Sequence, residues 1–170
     1  MGDIVRALIE CKKIITIKPR KEMYPDKQSP VILRNDFECR SEDGVYTFSV
    51  FMRNSSELDC IFSIGLRVEH QNKGRGKKTP IGLTIFRCNH KQEHMNHIVN
   101  NNKFNDYHVH MLEDWQFLQG KDNQMDAEPT KAYTNFKSAL HHFLVTCNIS
   151  DYEHHFPYLR QLTLGECYSC

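Results

Sequence analysis

The chain has 170 residues, with 22 Lys and Arg against 21 Asp and Glu, a net charge of +1, and a hydrophobic fraction of 39%. These values fit one domain with an ordinary core; they exclude wholesale disorder and a globally basic nucleic-acid binder, leaving only local basic patches. No apolar run approaches the roughly 18–20 residues that span a bilayer, so no membrane partner is expected.

In chain order, the spacing of Ile4, Val5, Leu8 and Ile9 predicts an amphipathic helix over 3–15, with Asp3 placed to cap it. Lys12, Lys13, Lys18, Arg20 and Lys21 follow without an acid between them, and Met23 to Pro30 reads as a connector. Val31 to Arg40 and Val45 to Arg53 then flank Ser41-Glu42-Asp43-Gly44, a hairpin signal, and Tyr46, Phe48 and Val50 mark one buried face. Further strands are expected over Asp59 to His70, Ile81 to Cys88 and Tyr107 to Leu112, separated by a Gly- and Lys-rich loop (71–80) and a polar loop (89–106). A closing helix over 135–147, capped by Thr134 or Asn135, carries the stripe Phe136, Ala139, Leu140, Phe143, Leu144 and Cys147.

The resulting expectation is an α+β domain over 1–149. It has a curved antiparallel sheet of about five strands within 31–112, and its N-terminal and C-terminal helices pack on one face. Residues 150–170 read as an appendage without a clear period.

Histidine carries the chemical signal. Five of the ten histidines, His90, His94, His97, His108 and His110, lie between positions 90 and 110. On a strand, His108 and His110 point to the same face, where two imidazoles suit proton transfer or a metal. A zinc set would draw on His94, His108 and His110, although the spacing matches no standard finger or protease motif. The stretch also reads as a plain solvated loop, in which case no metal or other cofactor is expected. Arg87, closing the fourth strand, suits an anionic group or a strand-edge ion pair. Lys73, Arg75, Lys77 and Lys78 form a hairpin tip able to meet an RNA backbone or simply to stay solvated. His141-His142 and His154-His155 read as surface or partly packed residues, and Cys167-Tyr168-Ser169-Cys170 as a tail. P-loop, dinucleotide, nucleophile-elbow and zincin motifs are all missing from the sequence. Seven irregularly spaced cysteines, with no basic-then-apolar start at Met1-Gly2-Asp3-Ile4-Val5-Arg6, are expected as free thiols in a cytoplasm.

The stretch from Leu83 to Ile149 resembles an uncharacterised prokaryotic and phage domain family of unknown function. The resemblance rests on Ile85-Phe86-Arg87-Cys88-Asn89, His94-Met95-Asn96, His108-Val109-His110, Glu128-Pro129 and the helix ending Phe143-Leu144-Val145-Thr146-Cys147-Asn148-Ile149. Members typically show His-Thr-Asn where Met95 interrupts the pattern here, and a Pro before the first His that this chain lacks. More loosely, the pattern is similar to the TumE-like toxins of toxin–antitoxin pairs.

The resemblance implies a small mobile-element or phage-associated protein in the host cytoplasm, acting on RNA through its histidines without a metal. One of His108 and His110 would take the ribose 2′-hydroxyl proton, another His would protonate the leaving oxygen, Arg87 would stabilise the phosphorane, and His94 and Asn96 would complete the site. The competing reading is a non-catalytic binding protein, such as a phage-encoded inhibitor of a bacterial defence complex. Either way a protein partner is expected, an antitoxin or a host defence protein.

Overall fold

Alternation of apolar and polar residues over 36–40, 47–50 and 62–69 builds the centre of the sheet, because side chains on a strand face opposite sides in turn. The computed structural model describes residues 3–58, 60–70, 81–95, 103–122 and 126–163. The strands are β1 (Lys13–Ile17), β2 (Tyr24–Pro25), β3 (Ile32–Ser41), β4 (Thr47–Ser55), β5 (Phe62–His70), β6 (Ile81–Met95), β7 (Lys103–Met111) and β8 (Ala127–Pro129). They form one antiparallel sheet in the order β1-β3-β4-β5-β6-β7-β8, with β2 paired to β3 beside β1. The helices are α1 (Asp3–Glu10), α2 (Asp114–Gln119), α3 (Phe136–Thr146) and α4 (Tyr152–His155), followed by a 3-10 helix over Pro157–Thr163.

The two faces of the sheet differ in chemistry. The inner face presents Phe37, Cys39, Phe48, Val50, Met52, Phe62, Ile64, Leu66, Val68, Phe86 and Cys88, all buried beneath Val5, Leu8 and Ile9 of α1 and Ala139, Leu140, Phe143 and Leu144 of α3. Phe143 stacks on Phe86 with ring centroids 5.9 Å apart. Each such side chain contributes roughly 1.5–3 kcal/mol of hydrophobic free energy. The outer face between β3 and β5 carries Arg34, Asp36, Glu38, Ser49, Phe51, Arg53, Ser63 and Arg67, all half-buried or exposed.

The expected α+β domain, with about five strands and two packed helices, is overturned: the described residues are 45% strand and 24% helix, with eight strands in one sheet and only four short α-helices among them. Three local causes account for this. The helix expected over 3–15 stops at Glu10, because Ile14 to Ile17 are all β-branched and Ile14, Ile15 and Ile17 instead pair with β3, the register shifting at Thr16. The polar stretch 89–106 does not alternate, yet Gln92 to Met95 pair with Lys103 to Asp106. That hairpin arm is held by backbone bonds, which leave no hydrophobic pattern. Strands β2 and β8, of two and three residues, are too short to show a period. The stretch read as an appendage sends Phe156 and Leu159 into the core.

Caps follow the same division between local and distant control. Asn135 caps α3 locally, its side-chain oxygen accepting from Ser138 N at 2.8 Å. At α1, Asp3 lies inside the helix, and the carboxylate of Asp114, 110 residues away, accepts from Ile4 N and Val5 N. An anion at a helix N-terminus stabilises it through the exposed N–H groups. No helix among the described residues is long and apolar enough to cross a membrane.

Cys39, Cys88 and Cys147 are buried, and burial pushes the Cys39 and Cys88 thiols up to about 12 and the Cys147 thiol upward as well. Thiolates are the reactive form. Titration of the native protein with a thiol reagent at pH 8 is therefore expected to modify exposed Cys60 at once and to spare these three until denaturant is added.

Candidate functional site

The register of β5, β6 and β7 builds the site. Arg87 stands opposite His110 and Gly65, and Asn89 opposite His108 and Ser63. Residues directly opposite in an antiparallel pair share a face, as do residues two apart. Arg87, Asn89, His108 and His110 therefore occupy adjacent positions on the outer face.

Asn89 ties the cluster together. Its Oδ1 accepts from Ser63 Oγ at 2.7 Å, which orients the amide so that Nδ2 points at both imidazoles, 3.4 Å from His108 Nε2 and 3.2 Å from His110 Nε2. An amide NH₂ can only donate, so both Nε2 atoms accept and both rings carry their proton on Nδ1. His108 Nδ1 accordingly donates to the Asp106 carbonyl at 2.8 Å. The two rings lie 5.0 Å apart and nearly perpendicular, with Phe104 edge-on to His108 at 5.5 Å. Both are enclosed, at 0% and 1% exposure.

Beneath them the β6–β7 ladder shifts register between Asn89 and Gln92, and the buried Tyr133 hydroxyl fills the break. It donates to the His108 carbonyl at 2.6 Å, with the Asn89 carbonyl at 3.2 Å, and accepts from Asn89 N at 3.2 Å. Burial, then the neighbouring Cys88 thiol, pushes the phenol pKa upward, so it stays a neutral donor. Arg87 is half-buried. Burial draws its guanidinium below the ordinary value while Asp122 works against this, and among the described residues its Nε has no hydrogen-bond partner.

The other expected site residues, His94 and Asn96, lie partly or wholly outside the described residues. His94 lies in β6 opposite Phe104, with its side chain outside the described residues, as are Asn96 and His97. Lys73, Arg75, Lys77, Lys78, Cys167 and Cys170 also lie outside them. Among the described residues no group of three or more His, Cys, Asp or Glu side chains is placed to hold a metal. His90 Nδ1 lies 2.8 Å from the Phe62 carbonyl, His141 3.4 Å from the Tyr152 hydroxyl, and His155 3.3 Å from Asp151.

Sequence reading passed over Asn89, Ser63 and Tyr133. Asn89 was recoverable, since it stands two positions after Arg87 on the same strand face. Tyr133 carries no local signal: it lies in a polar stretch without a period and reaches His108 only through the fold.

Chemically, the Asn89, His108 and His110 side chains form a satisfied buried network. Each Nε2 lone pair is engaged by Asn89, so abstracting a substrate proton there means breaking that bond. No protein-family model, no curated protein and no solved structure matches the chain.

Proposed function

We propose that this chain works by binding a partner rather than by catalysis, in a reducing compartment, as a small inhibitor or adaptor of the kind the resemblance to phage-borne families suggests. The observation that carries this reading is the enclosure of His108 and His110, whose Nε2 atoms both face one Asn89 amide. A general base has to lie within hydrogen-bond reach of the substrate proton, and here that position is taken by a protein amide. Buried polar networks satisfied in this way hold one conformation in place.

A second reading, phosphodiester transfer on RNA, is favoured by the placement of Arg87 directly across from His110, its Nε without a partner among the described residues. One assay separates the two: a ribo-oligonucleotide bearing a fluorophore and a quencher, incubated with purified protein and chelator. The binding reading expects no cleavage by the wild type. It also expects H110A to lose about 1–3 kcal/mol of stability, because the buried Asn89 amide loses an acceptor. Cleavage by the wild type that disappears in both H110A and R87A, with melting unchanged, would establish the catalytic reading instead.

A further inference from the structure

One amide wedged between two enclosed imidazoles leaves the site able to hold one proton more than it carries when both rings are neutral. Asn89 Oδ1 accepts from Ser63 Oγ at 2.7 Å, and its Nδ2 lies 3.4 Å from His108 Nε2 and 3.2 Å from His110 Nε2. A carboxamide is nearly symmetric in shape, so a half-turn about its terminal torsion exchanges oxygen and nitrogen without changing the packing. Ser63 suits either end, because a hydroxyl both donates and accepts. The rings discriminate. A neutral Nε2 lone pair needs the NH₂, and a protonated Nε2–H needs the oxygen.

His108 is the ring equipped for the added proton. Its Nδ1–H already has the Asp106 carbonyl at 2.8 Å, so with the amide turned, both N–H groups of an imidazolium have acceptors. An amide oxygen carries two lone pairs and accepts from His110 as well, once that ring moves its proton to Nε2. No buried donor on His108 is then stranded, and a stranded donor costs more than a made bond returns.

The charged side chains on the elements around the pair are of mixed sign. On β6, Arg87 stands across from His110 and opposes a second cation, with Asp122 acting on Arg87 in turn. On β8, Asp126 precedes Ala127, the residue opposite His110, and Glu128 lies opposite Val109, on the other strand parity. Lys103 and Asp106 on β7 are exposed, and β5 contributes the neutral Ser63 and Gly65 with Arg67 one row beyond. Tyr133 and the buried Gln116 of α2 carry no charge.

From this geometry we infer that Ser63, Asn89, His108 and His110 form a proton-operated switch, in which uptake of one proton at His108 Nε2 turns the Asn89 amide end for end. The proton comes from solvent, the one new covalent bond is Nε2–H, and the Ser63 hydroxyl reverses from donor to acceptor. The switch sits at the register break after Asn89, where Asp106 begins the outer arm of β6 and β7. A charged ring donates more strongly than a neutral one, so acid tightens the hold of His108 on that arm. This device goes beyond the binding reading and does not depend on it.

The test follows the histidine ring and asparagine amide nitrogens of the full chain, isotopically labelled, by long-range proton–nitrogen correlation from about pH 8 to about pH 5, the range in which histidine changes charge. The expected result is an Nδ1–H tautomer on both rings at the alkaline end. On acidification His108 gains Nε2–H, with the Asn89 side-chain amide shifting at the same midpoint. Exposed His154 is the control, titrating without that shift. N89D places a carboxylate, which only accepts, between the rings, and is expected to raise the His108 midpoint by about one pH unit or more. Hydrogen exchange of the arm amides, corrected for intrinsic rate, is expected to slow severalfold at the acid end. Thermal melting checks N89D, and should that variant fail to fold, the wild-type titration decides alone.

A His108 ring that stays neutral until the protein unfolds in acid would overturn the switch. So would a titration that leaves the Asn89 amide unmoved, an Nε2–H present on either ring at the alkaline end, or a folded N89D with the wild-type midpoint. Arm amides exchanging equally at both ends of the range would overturn the link between the switch and the arm.

Discussion

Replacing Phe143 with Ala is expected to lower stability by about 3–5 kcal/mol, read as a shift in the urea midpoint at constant slope. Phe143 is fully buried and stacks on Phe86, so its loss opens a cavity between α3 and β6 at the centre of the inner face. Surrounding strands are held by their ladders and cannot collapse to fill it, which is why the cost exceeds the transfer free energy of the removed atoms. Against a typical total of roughly 5–15 kcal/mol this is a large share. An unchanged midpoint would mean that α3 does not close the core.

Replacing Lys13 with Met is expected to destabilise by about 2–3 kcal/mol even though it removes a buried charge. Lys13 is fully buried, and its Nζ donates to the carbonyls of Ile9 at 2.7 Å, Cys11 at 2.8 Å and Cys147 at 3.0 Å, with the Phe48 ring centroid 4.8 Å away. Those carbonyls lie at the C-terminal ends of α1 and α3, where helices leave acceptors unsatisfied and concentrate negative potential. One ammonium therefore ties both helix ends to β1. Methionine preserves the packing volume but offers no hydrogen, so the carbonyls would remain buried without a donor. A K13M variant as stable as the wild type in urea would show that these acceptors are met in some other way.

The legible parts of the fold were those with a local cause. Phe48 and Val50 alternate with outward residues because β4 has one wet and one dry face, whereas Tyr46, expected on the buried side, precedes the strand and is exposed; Asp43-Gly44 marks the hairpin because Gly44 takes a positive φ of 74°. The stripe from Phe136 to Cys147 repeats at helical spacing because α3 buries one side. Arg87, His108 and His110 were readable as site candidates for the same reason, strand parity alone placing the two histidines on one face. What periodicity missed was structure held by backbone pairing: the arm of β6 and β7 beyond Asn89, and the short strands β2 and β8.

By itself, then, the sequence determined which residues alternate, which stripe turns inward, and that His108 and His110 share a face. Only the tertiary structure decided that Lys13, one of a run of cations in the sequence, lies in the core beneath two helix ends. It alone brought Asp114 to the start of α1, Tyr133 into the break beside Asn89, and Phe51 over Gly65 on the neighbouring strand. Each of these depends on register between segments far apart in the chain. Register is set by the global pairing of strands and by the burial of the inner face, and a window of neighbouring residues carries no record of it.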